Sequence, residues 1–302
     1  REPRNGQRPP FSFAVMPPDA LPFLEWFVRS PWGLTFALIW GALWGSFANV
    51  CIYRLPKGQS LLRPASRCPF CHTPIAWYDN IPVLSFVLLR GSCRRCHSRI
   101  GWRYPLVELL GAGLIAAVFV RFVDRDHAAL PTQLAHFVVY GYFVLVLLVL
   151  SAIDLEHLLL PDRITLPSTL VFFCAGRLLA DVRWMDSLVG MVAGYGVIWL
   201  IAEVYYRLTG REGLGLGDGK LLALVGATLG WQALPWTVCL GSVLGSLLAI
   251  PWLWLRKRQD QTQTLRHIAV PFGPCLALGA VLYLLLLHGR SLDEIARYVP
   301  GL

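Results

Sequence analysis

The 302-residue chain is 56% hydrophobic and only 15% charged, with a mean hydropathy of +0.55. This excludes an ordinary soluble domain, in which roughly 25% of residues carry charge. The formal net charge of +9 does not call for nucleic acid, because the basic residues gather between apolar runs, as they do in membrane proteins.

Residues 1–31 form a polar, proline-rich N-terminal extension without an apolar h-region, so no cleavable signal peptide is expected in it. Eight apolar runs near the ~20-residue length of a bilayer span follow. They are Trp32 to Val50, Pro105 to Val123, Leu134 to Ile153, Ile164 to Ala180, Leu188 to Tyr206, Leu221 to Leu234, Pro235 to Leu255 and Val270 to Leu287. The run from Leu221 is short, and is expected to begin earlier, in the glycine-rich stretch before it.

Lysine and arginine set the orientation, since they accumulate in cytoplasmic loops. Nine fall in loop 51–104 and four in loop 256–269, and Arg163, Arg207, Arg211 and Lys220 add to the same side. Arg121, Arg125, Arg177 and Arg183 lie opposite. The asymmetry predicts eight spans with both termini outside.

The first loop carries Cys68-Pro-Phe-Cys71 and Cys93-Arg-Arg-Cys96, two CxxC pairs separated by 21 residues. Each pair can present two thiolates, and two pairs complete a tetrahedral site for structural zinc. A cytoplasmic loop keeps thiols reduced, which argues against disulfides. Each pair is followed by histidine, His72 and His97, the pattern also used for c-type haem attachment; that chemistry occurs outside the cytoplasm. The basic flanks are also compatible with nucleic acid binding, but topology already accounts for them. Between the pairs, Tyr78 to Arg90 is too short to span. It is expected to lie on the membrane surface, to cover an active-site opening, or to form a buried part of the metal domain. The expected fold is therefore an all-α polytopic membrane protein of about eight transmembrane helices with a small cytoplasmic zinc-binding domain in its first loop. Its divisions are 1–31, 32–50 (the first transmembrane helix), 51–104 (the four-cysteine zinc-binding loop), 105–290 (the helical membrane core) and 291–302 (a C-terminal tail).

Acidic residues at span ends are costly to desolvate, which makes them functional candidates. Asp154 closes the third span in Ser151-Ala152-Ile153-Asp154-Leu155-Glu156-His157, and Asp218 lies in Gly213-Leu214-Gly215-Leu216-Gly217-Asp218-Gly219-Lys220 at the mouth of the sixth. Both fall on the predicted cytoplasmic side. Two adjacent carboxylates tend to share one proton, so that one takes a proton from attacking water while the other donates to a peptide carbonyl. Which does which belongs to the pair. The run around Asp218 is not a phosphate loop, because Leu214 and Leu221 occupy positions where GxxxxGK[ST] needs glycine and a hydroxyl. Ion transport and structural pairing are the competing readings of the two aspartates. Asp162 is expected to cap the next helix, and Glu156 to be an exposed loop charge. Glu108 and Glu203 lie inside spans and need partners, Arg103 or Arg54 serving for Glu108.

Taken together, these segments resemble the type IV prepilin peptidases. The resemblance is carried in order by Gly45 to Pro56, the two CxxC pairs flanking Tyr78 to Arg90, Arg103 to Leu110, Asp154 to Asp162, Gly215 to Leu221 and Pro271-Phe272-Gly273-Pro274. It implies a GxGD-class aspartyl protease of the bacterial inner membrane, with catalytic aspartates matching Asp154 and Asp218. Its substrates would be type IV prepilins or type II secretion pseudopilins, cut on the cytoplasmic side of the lipid bilayer. It further implies N-methylation of the new amino terminus with S-adenosylmethionine, although no nucleotide fingerprint marks a donor site. Peptidase activity alone, a proton-coupled helical transporter and a zinc-stabilised assembly subunit are the alternatives.

Overall fold

The computed structural model describes residues 20–63, 65–124, 128–179, 182–210, 215–259 and 271–289. The predicted tail 291–302, residues 260–269 of the basic loop, Arg125, Arg211 and the Gly213-Leu214 start of the glycine run lie outside them. Regular structure among the described residues is helical: α1 Ala20–Arg29, α2 Pro31–Arg54, α3 Leu84–Leu88, α4 Arg103–Phe119, α5 Leu130–His157, α6 Asp162–Leu179, α7 Trp184–Thr209, α8 Leu216–Leu229, α9 Ala233–Gln259 and α10 Gly273–Leu282. A π-helical turn prolongs α4 through Val120–Asp124 and another prolongs α10 through Tyr283–Leu287.

Local chemistry sets many of these boundaries. Pro31, Pro131 and Pro274 sit in the first turns of α2, α5 and α10, where a missing N–H costs nothing because it would have no partner in the helix. Helix α7 stops at Gly210, which turns left-handed at φ 67°. The end of α5 does the same without glycine: Leu158 adopts φ 53°, and its N–H donates to the Asp154 carbonyl at 2.9 Å.

Each of the eight predicted spans corresponds to one helix, and among the described residues four helices are long and apolar enough to cross a membrane by themselves. These are α2, α4 with its π turn, α5 and α7. Of the eight spans expected, these four have the length and apolar character to cross alone, and α8, expected to be short, shows why a helix here need not. That helix starts at Leu216, earlier than the apolar run, yet its 14 residues reach only about 21 Å. It needs no lipid-facing surface, because Leu221 through Leu229 are buried throughout, enclosed by α6, α7, α9 and α10. The α7–α8 contact is close enough that a Cβ on Gly226 would stand 2.2 Å from the Gly190 carbonyl oxygen, so both helices need glycine there. Helix α7 has the opposite character, exposing Val189, Val192, Val197, Trp199, Leu200 and Ile201, as an outer helix in lipid does.

The extension 1–31 also holds a helix that its polar composition concealed. Helix α1 packs on α2 and buries Val28 in the main core, beside Phe119, Phe122 and Val123.

Candidate active site

Asp154 lies in the last turn of α5 and Asp218 in the first turn of α8. Two contacts bring the ends that carry them together. Leu160, in the α5–α6 turn, packs against Gly217, where an added Cβ would meet its side chain at 3.3 Å. Lys220, two residues after Asp218, forms an ion pair with Asp162 in the first turn of α6. These contacts hold the end of α5 that carries Asp154 beside the start of α8 that carries Asp218.

Asp154 is 8% exposed, and the backbone N–H of Gly273 donates to its Oδ2 at 3.1 Å. Gly273 opens α10, so a helix N-terminus, with its partial positive charge, faces the carboxylate. Asp218 is half-buried and occupies the equivalent first-turn position of α8. A buried carboxylate and a half-buried one, each beside a helix start and at the same end of the bundle, form a pair suited to acid–base work on a water molecule.

The roles of two other carboxylates differ from expectation. Asp162 sits inside the first turn of α6 and pairs with Lys220 instead of capping from outside. Glu156 is exposed, as expected, but belongs to the last turn of α5 and pairs with Arg103 at the start of α4. Arg103 is therefore engaged away from Glu108, and Arg54 bonds the carbonyls of Ser60 and Leu61 at 3.0 and 3.3 Å. Glu108 instead receives the Val83 N–H at 2.7 Å. Glu203 pairs with Arg207 one turn along α7.

The cysteine loop builds a second centre at the same end of the molecule. Each CxxC pair forms the same knuckle: Cys68 N–H bonds Thr73 O at 3.0 Å and His72 N–H bonds Cys68 O at 2.9 Å, while Cys93 N–H bonds Ser98 O at 2.9 Å and His97 N–H bonds Cys93 O at 3.0 Å. His72 and His97 close these turns at φ 55° and 54°, which gives both a structural place in the knuckles. The four Sγ atoms lie within 4.8 Å of one another, and Cys68 and Cys96 are 3.7 Å apart. A tetrahedral zinc with thiolates at about 2.3 Å sets sulfurs about 3.8 Å apart, so the tetrad has the dimensions to hold such an ion. The N–H groups of Cys71 and Phe70, with the Ser98 hydroxyl, lower the Cys68 thiol to about 6, favouring the thiolate that a metal needs. Arg94 clamps Asp79 with three hydrogen bonds of 2.6 to 3.0 Å, tying the intervening segment to the second knuckle and holding the Asp79 carboxyl below its usual range.

Two anchors join this loop to α5 and α6: the Arg103–Glu156 ion pair, and the Arg163 guanidinium donating to Gly58 O at 3.3 Å. Sequence reasoning missed Gly273 as a partner of Asp154, and missed the Lys220–Asp162 link. The Pro271-Phe272-Gly273-Pro274 motif was the available signal for the first, but no motif names the atom it serves.

Comparison with known proteins adds an independent line. Residues 39–122 match the bacterial peptidase A24 N-terminal domain, and residues 141–250 match the type IV leader peptidase family. A prepilin leader peptidase/N-methyltransferase of Aeromonas hydrophila is 37% identical over 290 residues, covering 87% of this chain and 94% of that protein. Proteins of the same name from Pseudomonas putida (38% over 267 residues, 81% and 88%) and Pseudomonas aeruginosa (35% over 303 residues, 92% and 97%) are similarly close. No solved structure matches.

Proposed function

Because the chain belongs to the type IV leader peptidase family, we propose that it removes the basic leader from type IV prepilins or type II pseudopilins and N-methylates the new amino terminus. It does so as a multi-pass protein of the bacterial inner membrane, with the metal loop and the aspartate pair facing the cytoplasm. The observation that carries this reading is the meeting of the α5 end that bears Asp154 with the α8 start that bears Asp218, through Leu160 against Gly217 and Lys220 with Asp162, while the Gly273 N–H bonds Asp154. There the ionised member of the pair takes a proton from water as it attacks the scissile carbonyl, and the protonated member donates to the carbonyl oxygen. In this reading α6, α8, α9 and α10 complete the eight spans, α8 as the enclosed one.

The freed amine, once neutral, attacks a methyl group; a C–N bond forms as the S–CH3 bond breaks, and the amine releases a proton to water. S-adenosylmethionine supplies that activated methyl group when bound. Incubating the detergent-solubilised protein with a purified prepilin tests both steps, read by mass spectrometry of the product. Loss of the leader and gain of one methyl group are expected, and an intact prepilin with folded enzyme would overturn the peptidase reading.

The metal loop, in this reading, holds structural zinc on Cys68, Cys71, Cys93 and Cys96. Metal analysis should give about one zinc per chain, and Cys93→Ser should remove most of it, because three thiolates leave the tetrahedron open. Retention of full zinc by Cys93→Ser would exclude this ligand set. The Lys220–Asp162 pair contributes less, with side chains 27% and 56% exposed. Lys220→Met should slow cleavage about two- to fivefold, as a coupling of up to ~1 kcal/mol implies. Reversing the pair in Asp162→Lys/Lys220→Asp should recover part of the loss; no recovery would mean that Lys220 acts elsewhere.

A further inference from the structure

Of the settings open to residues 78–90, burial inside the metal domain is excluded first: no residue of the turn Trp77–Asn80 or of α3 is buried. Leu84, Val87 and Leu88 lie three and four positions apart, so they share one face of α3, and they are 50%, 64% and 70% exposed. Phe86 points elsewhere. Its ring lies 5.0 Å from that of Trp102 between centroids, and a Cβ on Gly91 would meet it at 3.1 Å. The small loop therefore presents an apolar helix face, with exposed rings of Trp77 and Trp102 beside it in sequence and in contact.

We propose that the bilayer covers this face: α3 lies in the cytoplasmic headgroup layer, with Leu84, Val87 and Leu88 against acyl chains and the arginines of the loop among anionic headgroups. The proposal rests on the inner-membrane reading above. Two observations select lipid over a protein partner.

The first is depth. Val83, the residue before α3, donates its N–H to Glu108 at 2.7 Å. Glu108 lies five residues into α4, about 7.5 Å of helix rise beyond Arg103. The loop thus turns back alongside a spanning helix instead of ending above it. In the same turns α4 exposes Leu106, Leu109 and Leu110, the apolar surface that a spanning helix shows to lipid. The face of α3 accordingly starts at a level where the lipid-facing surface of α4 has already begun. Val83 is β-branched yet held at φ 60° and ψ −48°, a strained conformation that persists only where its surroundings impose it.

The second is chemistry. Trp77, Tyr78 and Trp102 are amphipathic rings of the kind that gather at the membrane–water boundary. Residues 55–102 hold seven lysines and arginines against one acidic residue, Asp79, which Arg94 already clamps. Arg90 and Arg99 are exposed on either side of the second knuckle. An apolar helix face with basic flanks matches an anionic leaflet, and the same charge repels a basic leader peptide. Docking there fixes the height of the metal loop, which the Arg103–Glu156 pair ties to the end of α5 that bears Asp154.

The test uses the full chain in nanodiscs of phosphatidylethanolamine and phosphatidylglycerol. Photoreactive p-benzoylphenylalanine replaces Leu88 in one sample and Ile201, on the exposed side of α7, in another. Adducts are identified by mass spectrometry with and without a purified prepilin, and elution profiles report folding. Lipid adducts at position 88 are expected within about threefold of the yield at position 201, with or without prepilin, because both positions face lipid. Arg90→Gln/Arg99→Gln should lower the ratio of phosphatidylglycerol to phosphatidylethanolamine adducts at position 88 by about twofold or more, and leave it unchanged at position 201. Lipid adducts at position 201 with none at position 88 overturn the docking and leave the membrane reading intact. Adducts from position 88 to prepilin, or to a second copy of the chain, overturn it in favour of a protein partner. An unchanged lipid ratio in the arginine variant overturns the role of anionic headgroups. Lipid adducts at neither position remove the inner-membrane reading and the docking with it.

Discussion

Asp154→Asn and Asp218→Asn are each expected to reduce leader cleavage by about 10³-fold or more, the upper part of what a positioned acid or base contributes. Asparagine keeps the size of each side chain but can neither take a proton from water nor hold one to donate. The two losses should not multiply, because the carboxylates work as one unit: the double variant should be about as inactive as either single one. Initial rates on a purified prepilin read this directly, with zinc content and elution profile reporting an intact fold. Both single variants cleaving at wild-type rates would remove the aspartyl peptidase assignment, and only one of them doing so would remove the pair.

Gly273→Ala is expected to lower kcat for cleavage by about 10²-fold with little change in KM, the size of loss that misplacing a reacting group by about 1 Å causes. A Cβ at position 273 would stand 2.6 Å from Asp154 Oδ2 and 3.1 Å from its Cγ, so the carboxylate must rotate away or the start of α10 must retreat. Either response breaks the bond from the Gly273 N–H. Gly113→Ala on α4, where nothing lies within 4 Å of the added atom, is the matched control and should cleave normally. Cleavage at the wild-type rate by Gly273→Ala would mean that Asp154 occupies a different position in the working enzyme.

The two centres differ in how far the sequence could describe them. Cysteines with two residues between them make a knuckle by local turn geometry, so the pairs at 68/71 and 93/96 announced a four-thiolate cluster before any fold was known, and those sulfurs do lie together. The aspartates could be named as candidates because charge at the end of an apolar run is rare, but their nearness depends on α5 and α8, which are distant in sequence. That nearness comes from Leu160 against Gly217 and from Lys220 with Asp162, contacts between elements that no periodicity encodes.

Hydropathy located the helices, because burying backbone in an apolar setting requires helix and apolar side chains wherever the chain runs. It could not separate a helix facing lipid from one enclosed by other helices, since both are apolar on every side. Hence α8 read as a short span and proved to be the buried centre, while α7 read the same way and forms an outer face. Composition also concealed α1, whose apolar face is legible only once α2 and the end of α4 are there to receive it.

By itself, then, the sequence determined the membrane class, the metal-binding knuckles and the identity of the candidate acids, because each depends on residues near one another in the chain or on bulk hydrophobicity. Tertiary structure alone decided which groups meet: Gly273 with Asp154, Glu108 with Val83, Arg103 with Glu156. The physical reason is that a hydrogen bond or ion pair is fixed by distances of about 3 Å between elements, and such distances are set only when the helices have packed.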